Sequence, residues 1–315
     1  MNEASQNIAN IPALLSDVYD RFRTGRFEES ESLLEEALTL DFEHEEVLVA
    51  LKSAHFWRER VQRVDALDDD FERGEYLTNQ WKAFVGFLRV KDVAPERAMF
   101  AVKQWVFGRA LGCYLRVLEV TSGRDPELLF RIGSCYKGKG NYKQALEHFE
   151  ASSHQRSDDP HILAELADCY ALINEMSASK VFFREAFYLD PQQIELDSME
   201  CTMMRRLIEQ VAALGKGGPD LLEWLPVYGV VYGVFNVKRE LRSLEYGKLK
   251  QSIYALESSL ADEGKGDGAT VPKLLNRYFW LIDHYMAAGD DREKIDDALA
   301  KIRDINSSIY DQYIN

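Results

Sequence analysis

Laid over itself with a shift of 34 residues, the segment PELLFRIGSCYKGKGNYKQALEHFEAS from Pro126 matches PHILAELADCYALINEMSASKVFFREA from Pro160 without a gap. Leu129 falls on Leu163, Ile132 on Leu166, Gly133 on Ala167, Cys135 on Cys169, Tyr136 on Tyr170, Ala145 on Ser179 and Phe149 on Phe183. Large residues stay large and small ones stay small, so the shift repeats a packing pattern. Each copy reads as two helices. Leu129, Ile132, Gly133 and Tyr136 recur at spacings of three and four and form one apolar stripe, and Ala145, Phe149 and Ser152 form the facing one. Gly140 and Asn141 supply the turn, and Pro191 blocks continuation of the later copy. A helix pair of this size cannot bury its stripe alone, so roughly three or more pairs must stack.

On Gly133, Tyr136, Gly140, Tyr142, Ala145 and Phe149 the pattern resembles the tetratricopeptide repeat family: a small residue midway along the first helix, a tyrosine three residues later, and small-aromatic-small spacing in the second. The resemblance implies an all-α fold, an α-α superhelix (TPR-like solenoid) with a helical C-terminal extension. A third copy lies in LLSDVYDRFRTGRFEESESLLEEALTLD, with Gly25, Phe27, Ser30, Leu34 and Ala37 at the same spacings and Arg21 in place of the tyrosine. The segment from Pro95 to Val120 ends like a second helix, with Ala110, Tyr114 and Val117, after an irregular first one. LIDHYMAAGDDREKIDDALAKI offers a partial match through Tyr285, Gly289, Asp290 and Ala298.

These readings divide the chain into an N-terminal helix pair (1–44), a helical connection with a degenerate repeat (45–125), tandem repeats with a following helix (126–214) and a helical extension (219–315). The helix that follows the tandem repeats runs from Ile194 to Leu214, where GKGGPD stops it. Leu221 to Leu260 reads as helix bent near Pro226, ADEGKGDGATVP from Ala261 to Pro272 as a loop, and Lys273 to Ile314 as a capping hairpin.

Composition narrows the function. Fifty-three acidic against 38 basic residues give a formal charge of −15, which repels a phosphate backbone, so nucleic acid is not expected as a partner. The acidic surplus sits early, with sixteen acidic and six basic residues between 26 and 75. The longest uncharged apolar stretch, Trp224 to Phe235, falls short of the ~20 residues that span a bilayer, so no membrane span is expected. The start carries no basic or apolar signal, and cytoplasmic location is the expectation. Cys113, Cys135, Cys169 and Cys201 form no CxxC pair; Cys135 and Cys169 share one repeat position and read as packing residues.

In the family, first helices line the concave face, which implies a contact stripe at matching offsets. It comprises Glu127, Phe130, Ser134 and Lys137, then His161, Ala164, Asp168 and Ala171, then Glu195, Ser198, Thr202 and Arg205, with Arg206 beside the last. Partner-binding candidates are therefore Phe130, Ser134, Lys137, His161, Asp168, Ser198, Thr202, Arg205 and Arg206, with the cations suited to an acidic group. The lysine and arginine spacing with which some family members grip chaperone tails is missing here. No phosphate loop, dinucleotide fingerprint, nucleophile elbow or HExxH occurs, and no cofactor or metal is implied. His148, His154, Asp158, Asp159 and His161 crowd one helix end but fit no familiar ligand spacing. The expected function is a non-catalytic scaffold or adaptor that holds a protein or peptide segment. The alternatives are a homo-oligomer self-associating through the apolar C-terminal part, and an enzyme whose site arises only in three dimensions.

Overall fold

The structure is a computed structural model that describes residues 10–89, 96–121, 125–263 and 268–315, and every regular element among them is a helix. In chain order these are α1 (Ile11–Arg23), α2 (Phe27–Leu40), α3 (Glu45–Asp65), α4 (Asp70–Arg89), α5 (Glu96–Val120), α6 (Pro126–Gly138), α7 (Tyr142–Ser153), α8 (Pro160–Leu172) and α9 (Met176–Leu189). Two 3₁₀ turns, Pro191–Gln193 and Leu196–Ser198, precede α10 (Thr202–Ala213), α11 (Gly218–Val231), α12 (Ser243–Glu263), α13 (Thr270–Ala288), α14 (Arg292–Ile305) and α15 (Ser307–Ile314). Helices pack in consecutive pairs, such as α1 with α2, α4 with α5, α8 with α9 and α12 with α13. The all-α expectation is met.

The local causes of the repeat recur with it. Asp125 accepts a hydrogen bond from the Glu127 amide at 2.9 Å, and 34 residues on Asp159 accepts from the amides of His161 and Ile162 at 3.0 and 3.3 Å. Each aspartate satisfies amides left open at a helix start, and the following proline brings no amide to satisfy. The turns match as well: Gly140 has φ +81° and Asn174, its counterpart, has φ 68°. Asparagine is one of the few residues besides glycine that adopt this left-handed conformation. Across each turn the same two positions meet, Tyr136 with His148 (ring centroids 5.2 Å apart) and Tyr170 with Phe182 (5.4 Å).

The chain forms two compact units, Met1–His148 and Phe149–Asn315. In the first, Phe22, Phe27, Trp57, Phe84 and Trp105 build an aromatic core, with centroid distances of 5.0 Å for Phe27–Trp105, 5.4 Å for Trp57–Trp105 and 5.5 Å for Trp57–Phe84. Charged pairs such as Arg116–Asp70 and Arg58–Glu31 lie at its surface. The segment expected to contain an irregular first helix is the uninterrupted α5 from Glu96; Pro95 lies outside the described residues. Residues 45 to 89 are two helices that pack on their neighbours, α3 on α2 and α4 on α5.

In the second unit α13 is buried on nearly every side, from Thr270 through Trp280 to Tyr285, because α11, α12 and α14 all pack on it. The C-terminal part is therefore built around a central helix, where a two-helix hairpin was expected. Residues 232–242 are not helical, which corrects the expected run from Leu221 to Leu260. The chain turns at that point because Phe235 folds back onto Gly229, where an added Cβ would stand 2.3 Å from the ring. Of the expected loop between Ala261 and Pro272, residues 264–267 lie outside the described residues, while α12 runs to Glu263 and α13 starts at Thr270.

Candidate interaction surface

Each part of the predicted stripe lands differently. In the first unit, Ser134 is half-buried and its hydroxyl donates to the Phe130 carbonyl at 3.0 Å. Phe130 and Lys137, read as outward-facing, are buried, Lys137 with 3% of its surface exposed. Neighbouring Arg131 donates to Glu75 at 2.6 Å and pairs with Glu127 at 3.0 Å, while the Tyr114 hydroxyl also donates to Glu75 at 2.6 Å. The polar positions of α6 are therefore engaged within the fold.

In the second unit α8 is buried almost all round: Pro160 and Ile162 through Cys169 are covered. A helix enclosed in this way cannot carry an outward polar stripe, and Asp168, fully buried, is corrected to a structural acceptor. Its two carboxylate oxygens take the amides of Glu200 and Cys201 at 2.8 and 2.9 Å. Buried Glu165, one turn earlier, accepts a hydrogen bond from the Ser198 hydroxyl at 2.5 Å, and that hydroxyl also lies 2.7 Å from the Glu195 carbonyl. Both carboxylates thus fasten the segment between α9 and α10, Glu165 through the Ser198 hydroxyl and Asp168 by satisfying two backbone amides that no helix claims.

This fastening explains a second correction. The expected helix from Ile194 begins only at Thr202, so Glu195 and Ser198 belong to the 3₁₀ region and share no α-helical face with Thr202 and Arg205. Asp190 caps the first turn by accepting from the Gln192 amide at 3.0 Å, but the chain extends again at Ile194. His161 is half-buried at the start of α8. Thr202, Arg205 and Arg206 are exposed on α10. Arg205 donates through Nε to the Met199 carbonyl at 3.2 Å, and Arg206 has no ion-pair or hydrogen-bond partner among the described residues.

Two features escape the stripe altogether. Arg184 on α9 donates to the Phe235 carbonyl at 3.3 Å, to the Val237 carbonyl and to Asp283 of α13, with its guanidinium carbon 4.7 Å from the Trp280 ring centroid. Burial pushes the Asp283 carboxyl above its ordinary value against the pull of Arg184. A charged residue on the apolar side of a repeat helix was the available signal for Glu165 and Arg184 alike. The second feature is an open depression of about 610 Å³ lined by Arg156, Asp158, Asp159, Pro160, Asp190 and Gln193. Asp159 and Asp190 are spent as caps, Asp159 also pairs with Arg156 at 2.7 Å, and no group of three or more metal-binding side chains occurs among the described residues.

The two helix pairs α6–α7 and α8–α9 define a helical-repeat protein. The tetratricopeptide repeat family model matches residues 126–152 and 160–193, so these two segments are tetratricopeptide repeats. No curated protein matches the chain. Tetratricopeptide repeats generally mediate protein–protein interactions. No described helix is long and apolar enough to cross a membrane.

Proposed function

We propose that the chain is a non-catalytic scaffold or adaptor that holds a segment of another protein, with the exposed face of α10 as the principal contact. Thr202, Arg205 and Arg206 meet an acidic group of the partner, flanked by half-buried Ser198; His161 and Ser134 are secondary contacts. Phe130, Lys137 and Asp168 support their helices from within. The observation that carries this reading is the pair of exposed guanidinium groups, neither engaged by a carboxylate among the described residues, in a chain whose formal charge is −15. Guanidinium is suited to bidentate recognition of carboxylates, so the pair offers orientation as well as attraction. A reducing compartment such as the cytoplasm fits four buried cysteines with no disulfide among the described residues.

The test uses the full chain and a peptide array of acidic, neutral and basic dodecamers. Acidic dodecamers are retained by the wild type, and Arg205→Glu with Arg206→Glu lowers that retention tenfold or more, about 1.4 kcal/mol, with unchanged circular dichroism. Equal retention by the reversed variant would remove α10 from the contact surface.

A further inference from the structure

Between α11 and α12, residues 232–242 form a strap without a helix, held in large part by side chains. Arg184 takes the carbonyls of Phe235 and Val237. Beyond Val237, the amides of residues 238–242 donate to no backbone carbonyl among the described residues. Side chains claim two of them: the Leu241 amide donates to His284 Nδ1 of α13 at 3.0 Å, and the Arg242 amide to Glu245 Oε2 at 2.8 Å. The Glu245 bond belongs to the start of α12, so the His284 bond is the backbone tie between the strap and α13. Leu241 is buried and the imidazole half-buried.

An amide can donate only to a ring nitrogen that carries a lone pair, so this bond requires a neutral imidazole with its proton on Nε2. Imidazole is the side chain that ordinarily changes charge between about pH 5 and 8. A second proton on His284 would set N–H against N–H and leave the Leu241 amide without its acceptor. Other neighbours receive the charged ring. The Tyr246 ring of α12 has its centroid 4.8 Å from the imidazole, and the Tyr285 ring lies 5.8 Å away. Asp290, held below its ordinary value by the hydrogen bond from Lys294 of α14, stays ionised within electrostatic reach of His284. The cations of the strap are turned to other carboxylates, Lys238 to Asp283, Arg239 to Glu185 and Glu245, and Arg242 to Glu245. Arg184 of α9 and Tyr313 of α15 also act on Asp283, and Glu223 of α11 pairs with Lys273 near the opposite end of α13.

We propose that the Leu241–His284 bond is a proton-operated latch: closed while the imidazole is neutral, it opens on mild acidification and frees residues 238–242 while the helices stay folded. Hydrogen exchange of the full chain, corrected for the intrinsic effect of pH, tests it. Protection of the Leu241 amide falls tenfold or more between about pH 7.5 and about pH 5.5, while amides within α1 and α13 keep theirs. His284→Asn sets an amide group near the place of Nδ1 and does not titrate, so the pH step in Leu241 protection disappears. That variant also separates the latch from Glu185, whose carboxyl burial pushes up and which pairs with Arg239 at 3.6 Å, because a pH step caused by Glu185 survives in it. Ring-nitrogen chemical shifts of the wild type show the Nε2–H tautomer at about pH 7.5. Unchanged protection on acidification, an equal loss in His284→Asn, or the Nδ1–H tautomer at neutral pH overturns the proposal. So does a loss shared by α13, which would be general unfolding.

Discussion

The two units bury different things. The Met1–His148 unit fills its interior with aromatic rings, with Lys137 its one buried charged side chain among the described residues, and keeps ion pairs such as Arg116–Asp70 toward its surface, Arg116 being 54% exposed. The Phe149–Asn315 unit takes charge inside: Glu165, Asp168, Arg184, Glu223 and Asp283 are all buried. The buried charges are concentrated where helices stop. Asp168 and Glu165 hold residues 195–201, and Arg184 holds the carbonyls of residues 235 and 237. Rings suffice where the described chain passes from helix to helix through short turns, because the helical backbone is already satisfied. An interior that must accept irregular backbone needs side chains that bond to it.

The sharpest way to break this comparison is to delete one member of each interior. Trp57→Ala in the first unit is expected to cost about 3–5 kcal/mol as a cavity. Asp283→Ala in the second is expected to cost about as much, because Arg184 would be left buried without its carboxylate. The two then part company. Replacing Arg184 and Asp283 together by Met and Leu should recover part of the loss but leave about 1–3 kcal/mol, since the Val237 carbonyl would lose the Arg184 donor and the Phe235 carbonyl would keep only the Val237 amide. Chemical denaturation of all four proteins checks this, and full recovery in the double variant would mean that the backbone contacts contribute nothing.

A smaller effect is expected at Gly229. Its Ala variant puts a methyl group into the Phe235 ring, an overpacking worth about 1–3 kcal/mol, and nuclear magnetic resonance shifts should be largest in residues 229–241. Smallest is the surface pair of the first unit. The Arg116 guanidinium holds the Asp70 carboxyl down to about 2 from its usual 3.8. A depressed carboxyl contributes stability that is full above about pH 4 and disappears as pH falls through about 2. Because the pair is exposed, Arg116→Ala is expected to cost about 1 kcal/mol or less at neutral pH, and it should flatten the stability profile between pH 4 and 2.

Periodicity was enough for the helices whose neighbours are other helices. Asp125, Pro126, Gly140 and their counterparts act through bonds within a few residues of themselves, so the 34-residue repeat and its turns are legible in the chain. Residues 195–201 are not, for the opposite reason. Leu196, Met199 and Met203 carry a helical spacing, but the acceptors that draw the backbone out of a helix sit 32 and 33 residues earlier on Asp168. The same distance hid the burial of Lys137 and Asp168: a stripe drawn by spacing marks which residues share a face, while the covering of that face is decided by other helices. Thr202, Arg205 and Arg206 are exposed, as a face marked by spacing alone expects.

Hydrogen exchange at the amides of Glu200 and Cys201 tests the role of the buried carboxylates most directly. Both amides lie outside any helix, yet the bonds to Asp168 should protect them as well as amides of α10 are protected, and Asp168→Asn should speed their exchange tenfold or more while α1 and α2 are unchanged. Fast exchange of these amides in the wild type, or equal rates in the variant, would contradict it.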